Sequence, residues 1–185
     1  MYENYPVVGQ GLKKLFFAEI LSVVASLLSS SGLLSMVAGL AGLTLSLLAL
    51  NTLAPLHPNY KNALGYTIAT IIISVLDAFL SKYDYIRGIL SVVSAVLSLL
   101  IVYAICTATA YFLAEKGETA LASKADVWKL YAVLSVIFVV CILFLFIPIL
   151  NVLAIISVVL AAVVMIVAGI LYMVFLYQAS VAFLN

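Results

Sequence analysis

The feature that most constrains this chain is the spacing of its apolar runs. Six stretches, at roughly 12 to 30, 32 to 54, 62 to 81, 87 to 114, 127 to 147 and 149 to 184, are each dominated by Leu, Ile, Val, Ala and Phe. A helix needs about 20 mostly apolar residues to cross the hydrocarbon core of a bilayer. Each of the runs reaches about that length, and the last far exceeds it. Over the 185 residues, 68% are hydrophobic and 8% charged, whereas a soluble domain carries about 25% charge. A soluble fold of this size has too little interior to hide so much apolar side chain. The runs therefore predict an all-α polytopic membrane protein with six transmembrane helices arranged as three helical hairpins.

The breaks between runs have local causes. "SSSG" (29 to 32) and "IPILN" (147 to 151) read as tight turns, with Pro148 suited to the first turn of a new helix. "APLHPNYK" holds two prolines that end the second span. "SKYDYIR" and "EKGETALASKAD" are the charged loops, the latter read as solvated. The last run is too long for one upright span, and we expect one long helix there rather than a bend near Gly169. The opening residues have a lysine pair followed by an apolar run, as a signal peptide does. Acidic Glu19 sits inside that run and no clear small-x-small site follows, so we read a retained first span.

Orientation follows from loop charge. With six spans, Lys13, Lys14, Lys61, Lys116, Lys124 and Lys129 share one side, and Lys82 and Arg87 lie on the other. The excess of basic residues marks the cytoplasmic side, so both termini are expected in the cytoplasm and the protein in the inner (plasma) membrane. Tyr60, Tyr66, Tyr111, Phe112, Trp128 and Tyr131 fall at the same helix ends, as an interfacial aromatic belt would.

The sequence repeats itself loosely. "GLLSMVAGLAG" (32 to 42) matches "GILSVVSAVLS" (88 to 98), with a shorter echo in "PILNVLA" (148 to 154). "ILSVV", "IISVL" and "VLSVI" precede these, each led by a lysine. We read residues 1–185 as one transmembrane domain of three similar hairpins, approximately 12–54, 61–114 and 127–184. All three enter from one side, so a pseudo-threefold bundle with a seam or cavity near its axis is expected.

Small residues four apart on the second span (Ser35 and Gly39; Ala38, Gly42 and Ser46) and on the fourth (Ser91 and Ala95; Ser94 and Ser98) permit close helix approach. These two spans are expected inside the bundle. The fifth, with "FVVCILFLFIP", is expected to face lipid.

Polar residues recur at helical spacing on three spans. Glu19, Ser22, Ser26 and Ser29 lie on the first span. Thr67, Thr70, Ser74, Asp77 and Ser81 lie on the third, and Ser91, Ser94 and Ser98 on the fourth. Hydroxyls in such stripes bond to a neighbouring helix or to the carbonyl one turn back. Carboxylates within a span are costly. Asp77 is placed to reach Arg87 or Ser91, and Glu19 to reach Lys61 or His57. Each reads as a rim ion pair or as a protonatable, cation-binding group. The candidate polar seam is thus Glu19, Ser22, Thr67, Thr70, Ser74, Asp77, Arg87, Ser91, Ser94 and Ser98.

Several functions find no support in the sequence. Net charge is +1, so no basic field points to nucleic acid. Cys106 and Cys141 are isolated in apolar runs, and no metal or cofactor motif is present. His57 is the single histidine, read as an interfacial loop residue without a catalytic partner, and no nucleophile, base and orienter are spaced together. No enzymatic activity is expected. The first functional reading is a membrane protein that acts by packing, by binding a membrane partner or by self-association. The second is a small-molecule transporter or substrate-binding membrane subunit using a seam on the first, third and fourth spans.

In size, hairpin count and turn placement the chain resembles a diffuse class of small bacterial inner-membrane proteins, and its triple-hairpin plan is similar to that of the HdeD-like acid-stress proteins. A weaker likeness is to the substrate-binding S-components of energy-coupling-factor vitamin transporters, which also have six helices in about this length. No single motif carries either resemblance, so neither assigns a residue role.

Overall fold

The computed structural model describes residues 4–80, 82, 84–145 and 151–185, with side chains described at all of these except 84, 85, 87, 138–145 and 151–158. Six long helices dominate: α1 (Tyr5–Leu27), α2 (Gly32–Leu53), α3 (Pro58–Phe79), α4 (Asp84–Lys116), α6 (Val127–Leu145) and α7 (Asn151–Leu184). A short α5 (Thr119–Ala122) and a 3-10 turn (Ser123–Asp126) separate α4 from α6. The expected "IPILN" turn with Pro148, the side chain of Cys141 and the lipid-facing end of the fifth span lie outside the described residues.

By length and composition, four helical stretches are able to cross a membrane: Gly32–Leu53, Pro58–Phe79, Gly88–Lys116 and Val159–Leu184. The chain is thus all-helical with several spans' worth of apolar helix. α1 carries Lys13, Lys14 and Glu19 within its length, which sets it apart from those four. α7 is continuous over 34 residues and passes Gly169 without interruption, as expected. At about 1.5 Å per residue it is about 50 Å long.

The helix ends follow from local chemistry. Pro58 opens α3, and the His57 side chain caps it by accepting from the Asn59 backbone N–H at 3.1 Å. α4 ends at Gly117, whose φ of 91° is the left-handed conformation glycine tolerates best. The Glu118 N–H then returns to Leu113 O at 2.8 Å and the Gly117 N–H to Ala114 O at 3.0 Å, the paired bonds of a Schellman cap. The segment read as a solvated loop is instead folded. Ala125 is buried there, and Lys124 donates to Gln178 of α7 at 3.0 Å. Its alanines and leucine supply the apolar contacts that mixed charge obscured.

The three hairpins α1–α2, α3–α4 and α6–α7 pack in order around a ring. α2 meets α3, α4 meets α6, and α7 closes on α1. Small residues set the closest approaches. A Cβ added at Gly42 would stand 3.0 Å from Ala18 O, and one at Gly9 would stand 3.0 Å from Phe183 Cβ. Ser35 Oγ also crosses from α2 to donate to Ala25 O at 2.8 Å. α2 therefore uses its small-residue face against α1. The corresponding face of α4 is different, because Ser91, Ser94, Ala95 and Ser98 border a cleft rather than a tight contact.

Burial is concentrated at the end of the ring that holds both described termini. Tyr5, Val8, Leu12 and Leu15 of α1 meet Leu50 and Leu53 of α2, Tyr60 and Ala63 of α3, Ile105, Phe112 and Leu113 of α4, and Tyr172, Phe175, Leu176 and Phe183 of α7. These residues plug the terminal end. α1 extends back to Tyr5, beyond its apolar run, because Tyr5 packs on Phe183 with ring centroids 5.7 Å apart. Toward the far end, large apolar side chains such as Leu27, Leu33, Ile72, Phe79, Val96 and Leu160 are exposed. That is the surface lipid would cover.

Candidate functional site

The polar stripes continue the helix faces that form the plug. On α3, Tyr60 and Ala63 are buried, and Thr67, Thr70, Ser74 and Asp77 follow at steps of three and four. On α4, Phe112, Thr109 and Ile105 are buried, and Ile101, Ser98, Ser94 and Ser91 continue the same face in the opposite direction. On α1, Leu12 and Leu15 lead to Glu19, Ser22 and Ser26. Steps of three and four keep side chains on one face of a helix. On three helices the buried face of the plug therefore passes into a polar, more exposed stripe with distance from it.

Between α3 and α4 this change produces a cleft of about 370 Å³, lined by Ile73, Ser74, Asp77, Leu90, Ser91, Ser94, Ala95 and Ser98. Five of the ten residues of the expected seam meet here. Thr67 and Thr70 line a neighbouring groove of about 780 Å³ against Met36, Leu40 and Leu43 of α2, and Ser74 borders both spaces. Glu19 and Ser22 line neither, because α1 packs between α2 and α7. The side chain of Arg87, and with it the expected Asp77–Arg87 pair, lies outside the described residues, as does Ser81.

The hydroxyls of these stripes mostly donate within their own helix. Ser22 donates to Ala18 O at 3.1 Å, Thr67 to Ala63 O at 2.8 Å and Thr70 to Tyr66 O at 2.9 Å. Ser74 donates to Thr70 O at 2.9 Å and Ser98 to Ser94 O at 3.0 Å. With its proton committed to a carbonyl one turn back, such a hydroxyl offers its neighbours only acceptor lone pairs. The Ser74 and Ser98 oxygens thus face the cleft as acceptors, beside the Asp77 carboxyl.

Glu19 meets a different environment from the one expected. Among the described residues no ion pair joins it to Lys61 or His57; the one described salt bridge is Lys129–Asp126 at 2.8 Å. Tyr131 on α6 and Tyr172 on α7 meet edge to face, with ring centroids 6.3 Å apart. His57 stays in its loop, enclosed by the rings of Tyr60, Tyr111 and Phe112 at centroid distances of 6.3, 5.2 and 6.0 Å. That partial burial pushes its pKa below the ordinary 6.5. The belt residues named from sequence are thus partly structural, since Tyr60 and Phe112 are core.

Among the described residues no three His, Cys, Asp or Glu side chains gather as metal ligands do. Sequence reading missed the contact of Tyr131 with Tyr172, two residues far apart in the chain. The class defined by this architecture is an all-helical protein with four helices long and apolar enough to cross a membrane and a polar interhelical cleft. No family model, curated protein or solved structure matches the chain.

Proposed function

We propose that the chain is a six-span protein of the inner (plasma) membrane, with both termini cytoplasmic, and that it binds a small polar or cationic solute in the cleft between α3 and α4. It acts as a carrier or a substrate-binding membrane subunit rather than an enzyme. The observation that carries this reading is the cleft itself, where Ser74, Asp77, Ser91, Ser94 and Ser98 meet around about 370 Å³. Ser74 and Ser98 commit their protons to carbonyls of their own helices, which leaves their oxygens to accept from a solute. The six-against-two distribution of basic residues supports the orientation, which puts the plug at the cytoplasmic surface and the cleft toward the outside. The three hairpins and their related strings support an origin by triplication. They are parallel repeats, not the inverted repeats of many alternating-access carriers.

Native mass spectrometry of the protein purified in mild detergent tests the reading. A bound small molecule is expected on the native chain and lost from Asp77→Asn, with folding unchanged. The other reading, a packing or partner-binding role in the membrane, rests on the sealed plug and the close α1–α2 contact at Gly42. A bare native chain, together with an Asp77→Asn variant that still forms the native assembly with a partner or with itself, would favour that role instead.

A further inference from the structure

Near the terminal end of the ring, two grooves flank α7. One, of about 460 Å³, lies between α6 and α7, with Val127, Leu130, Leu171 and Phe175 in its walls. The other, of about 400 Å³, lies between α1 and α7, with Phe16, Ile20, Ile170, Met173 and Tyr177 in its walls. Val174 and Gln178 of α7 line both. Val174 is exposed and stands between the grooves as a ridge. Each groove follows α7 for about 10 Å and ends at Gln178.

The polar groups gather at that end. Lys124, which precedes α6, donates to Gln178 Oε1 at 3.0 Å, so its ammonium stands where the two grooves meet. The ammonium keeps two further N–H donors, and the Gln178 amide nitrogen is a donor as well. On α1, exposed Lys13 shares the face of Phe16 and Ile20, one turn nearer the terminal end. Charge at the meeting point is one-sided. Asp126 borders the α6–α7 groove, but Lys129 holds it at 2.8 Å. Among the described residues no carboxylate pairs with Lys124, and its bond to the neutral Gln178 leaves its charge uncompensated.

The complement of this surface is anionic at one point and apolar along two lines. Basic pockets between helices at the cytoplasmic surface suit the headgroups of anionic phospholipids. A lysine at such a rim lays its stem on apolar surface and keeps its head at the interface. A free phosphate would use the lysine and leave both grooves bare.

We propose that α7 seats one anionic phospholipid of the cytoplasmic leaflet, with an acyl chain in each groove, Val174 between the chains, and the phosphate on Lys124 and Gln178. The proposal rests on the reading that these helices stand in a bilayer with the plug at its cytoplasmic surface, and not on the α3–α4 cleft, with which it shares no lining residue.

The test is native mass spectrometry of the purified full chain in mild detergent with equimolar dioleoyl phosphatidylglycerol and dioleoyl phosphatidylcholine. Phosphatidylglycerol adducts should outnumber phosphatidylcholine adducts about fivefold. Lys124→Gln should bring the ratio close to one, and Lys124→Arg should keep it. Leu171→Trp, which fills one groove, should weaken binding of both lipids several-fold, and Asp77→Asn should change neither. Positions 124 and 171 are exposed, so elution and helical circular dichroism should match the native chain; if one variant does not fold, the other decides. Equal binding of the two lipids, a native-like ratio in Lys124→Gln, or native-like lipid binding by Leu171→Trp would overturn the proposal. So would displacement of phosphatidylglycerol by equimolar glycerol 3-phosphate, which would assign the lysine to a soluble phosphate ester. A dimer that Leu171→Trp separates, in place of lipid adducts, would assign the face to a second copy and overturn it too. Recovery of the native chain in the soluble fraction of cells would overturn the membrane reading as well, whereas a chain recovered with membranes but lacking the lipid preference overturns this proposal alone.

Discussion

The Tyr60 hydroxyl on α3 donates to Thr109 Oγ1 on α4 across 2.9 Å, and both residues are wholly buried. The direction follows from Thr109, whose single hydroxyl proton goes to Ile105 O at 2.7 Å. This bond is the last polar link inside the plug, and beyond it the same faces of α3 and α4 open into the serine-lined cleft. Tyr60→Phe should therefore lower stability modestly, by about 1 kcal/mol, since Thr109 keeps its own carbonyl partner. Thr109→Val should cost at least as much, because it strands a buried phenol. Thermal unfolding in detergent of both variants and of the double variant measures the coupling. Strict additivity would argue against the link.

Gly42 sets the distance between α1 and α2. A Cβ there meets the Ala18 carbonyl oxygen at 3.0 Å, Leu21 Cβ at 3.2 Å and Ser22 Oγ at 3.3 Å. Backbone cannot swing aside as a flexible side chain does. Gly42→Leu is expected to cost about 1–3 kcal/mol or more by overpacking, and Gly42→Ala less. Gly39→Ala is the control, since its Cβ would lie 3.8 Å from Ala25 Cβ, an ordinary contact. Equal melting temperatures for Gly42→Leu and Gly39→Ala would contradict this account of the interface.

His57 should make stability depend on acid. Its Nδ1 accepts from Asn59 N–H, which requires that nitrogen to be unprotonated. Partial burial lowers its pKa from 6.5 in the folded protein. The folded state therefore disfavours the charged ring. The stability from neutral His57 is fully present above pH 6.5 and is lost as pH falls through the lower folded value. Asn at this position also caps a helix but does not titrate. The difference in melting temperature between the native chain and His57→Asn should shift toward the variant on acidification below that value, and a constant difference would count against the cap.

Thiol accessibility tests the open cleft against the sealed plug. In a background with Cys106 and Cys141 replaced by alanine, Ser91→Cys and Ser94→Cys in intact cells should react with a membrane-impermeant maleimide. Leu113→Cys, whose position is 0% exposed, should not. Labelling of all three, or of Leu113→Cys alone, would be incompatible with the proposed orientation, in which the cleft opens to the outside and the plug does not.

Helix number, helix ends and the polar stripes were legible from sequence because they depend on local rules. Apolar run length marked the six long helices. Prolines and serines marked the turns at 28–31 and 54–57. Steps of three and four showed that Thr67, Thr70, Ser74 and Asp77 share a face. The early start of α1 was not legible, since Tyr5 is held by Phe183 from the other end of the chain. Nor was the fold of residues 119–126, where Ala125 is buried and Lys124 reaches α7.

The sequence by itself determined what each helix offers: its length, its small-residue face, and a stripe that runs from apolar to polar. Those properties repeat every three or four residues and need no partner to be read. Only the tertiary structure decided which stripes meet. α3 and α4 bring Ser74, Asp77, Ser91, Ser94 and Ser98 around one cleft, while α1, held between α2 and α7, leaves Glu19 and Ser22 out of it. The reason is physical. Within a bundle of apolar helices, neighbours are selected by close packing at sites such as Gly42 against Ala18 and Gly9 against Phe183. That complementarity belongs to pairs of surfaces, and no single helix encodes it alone.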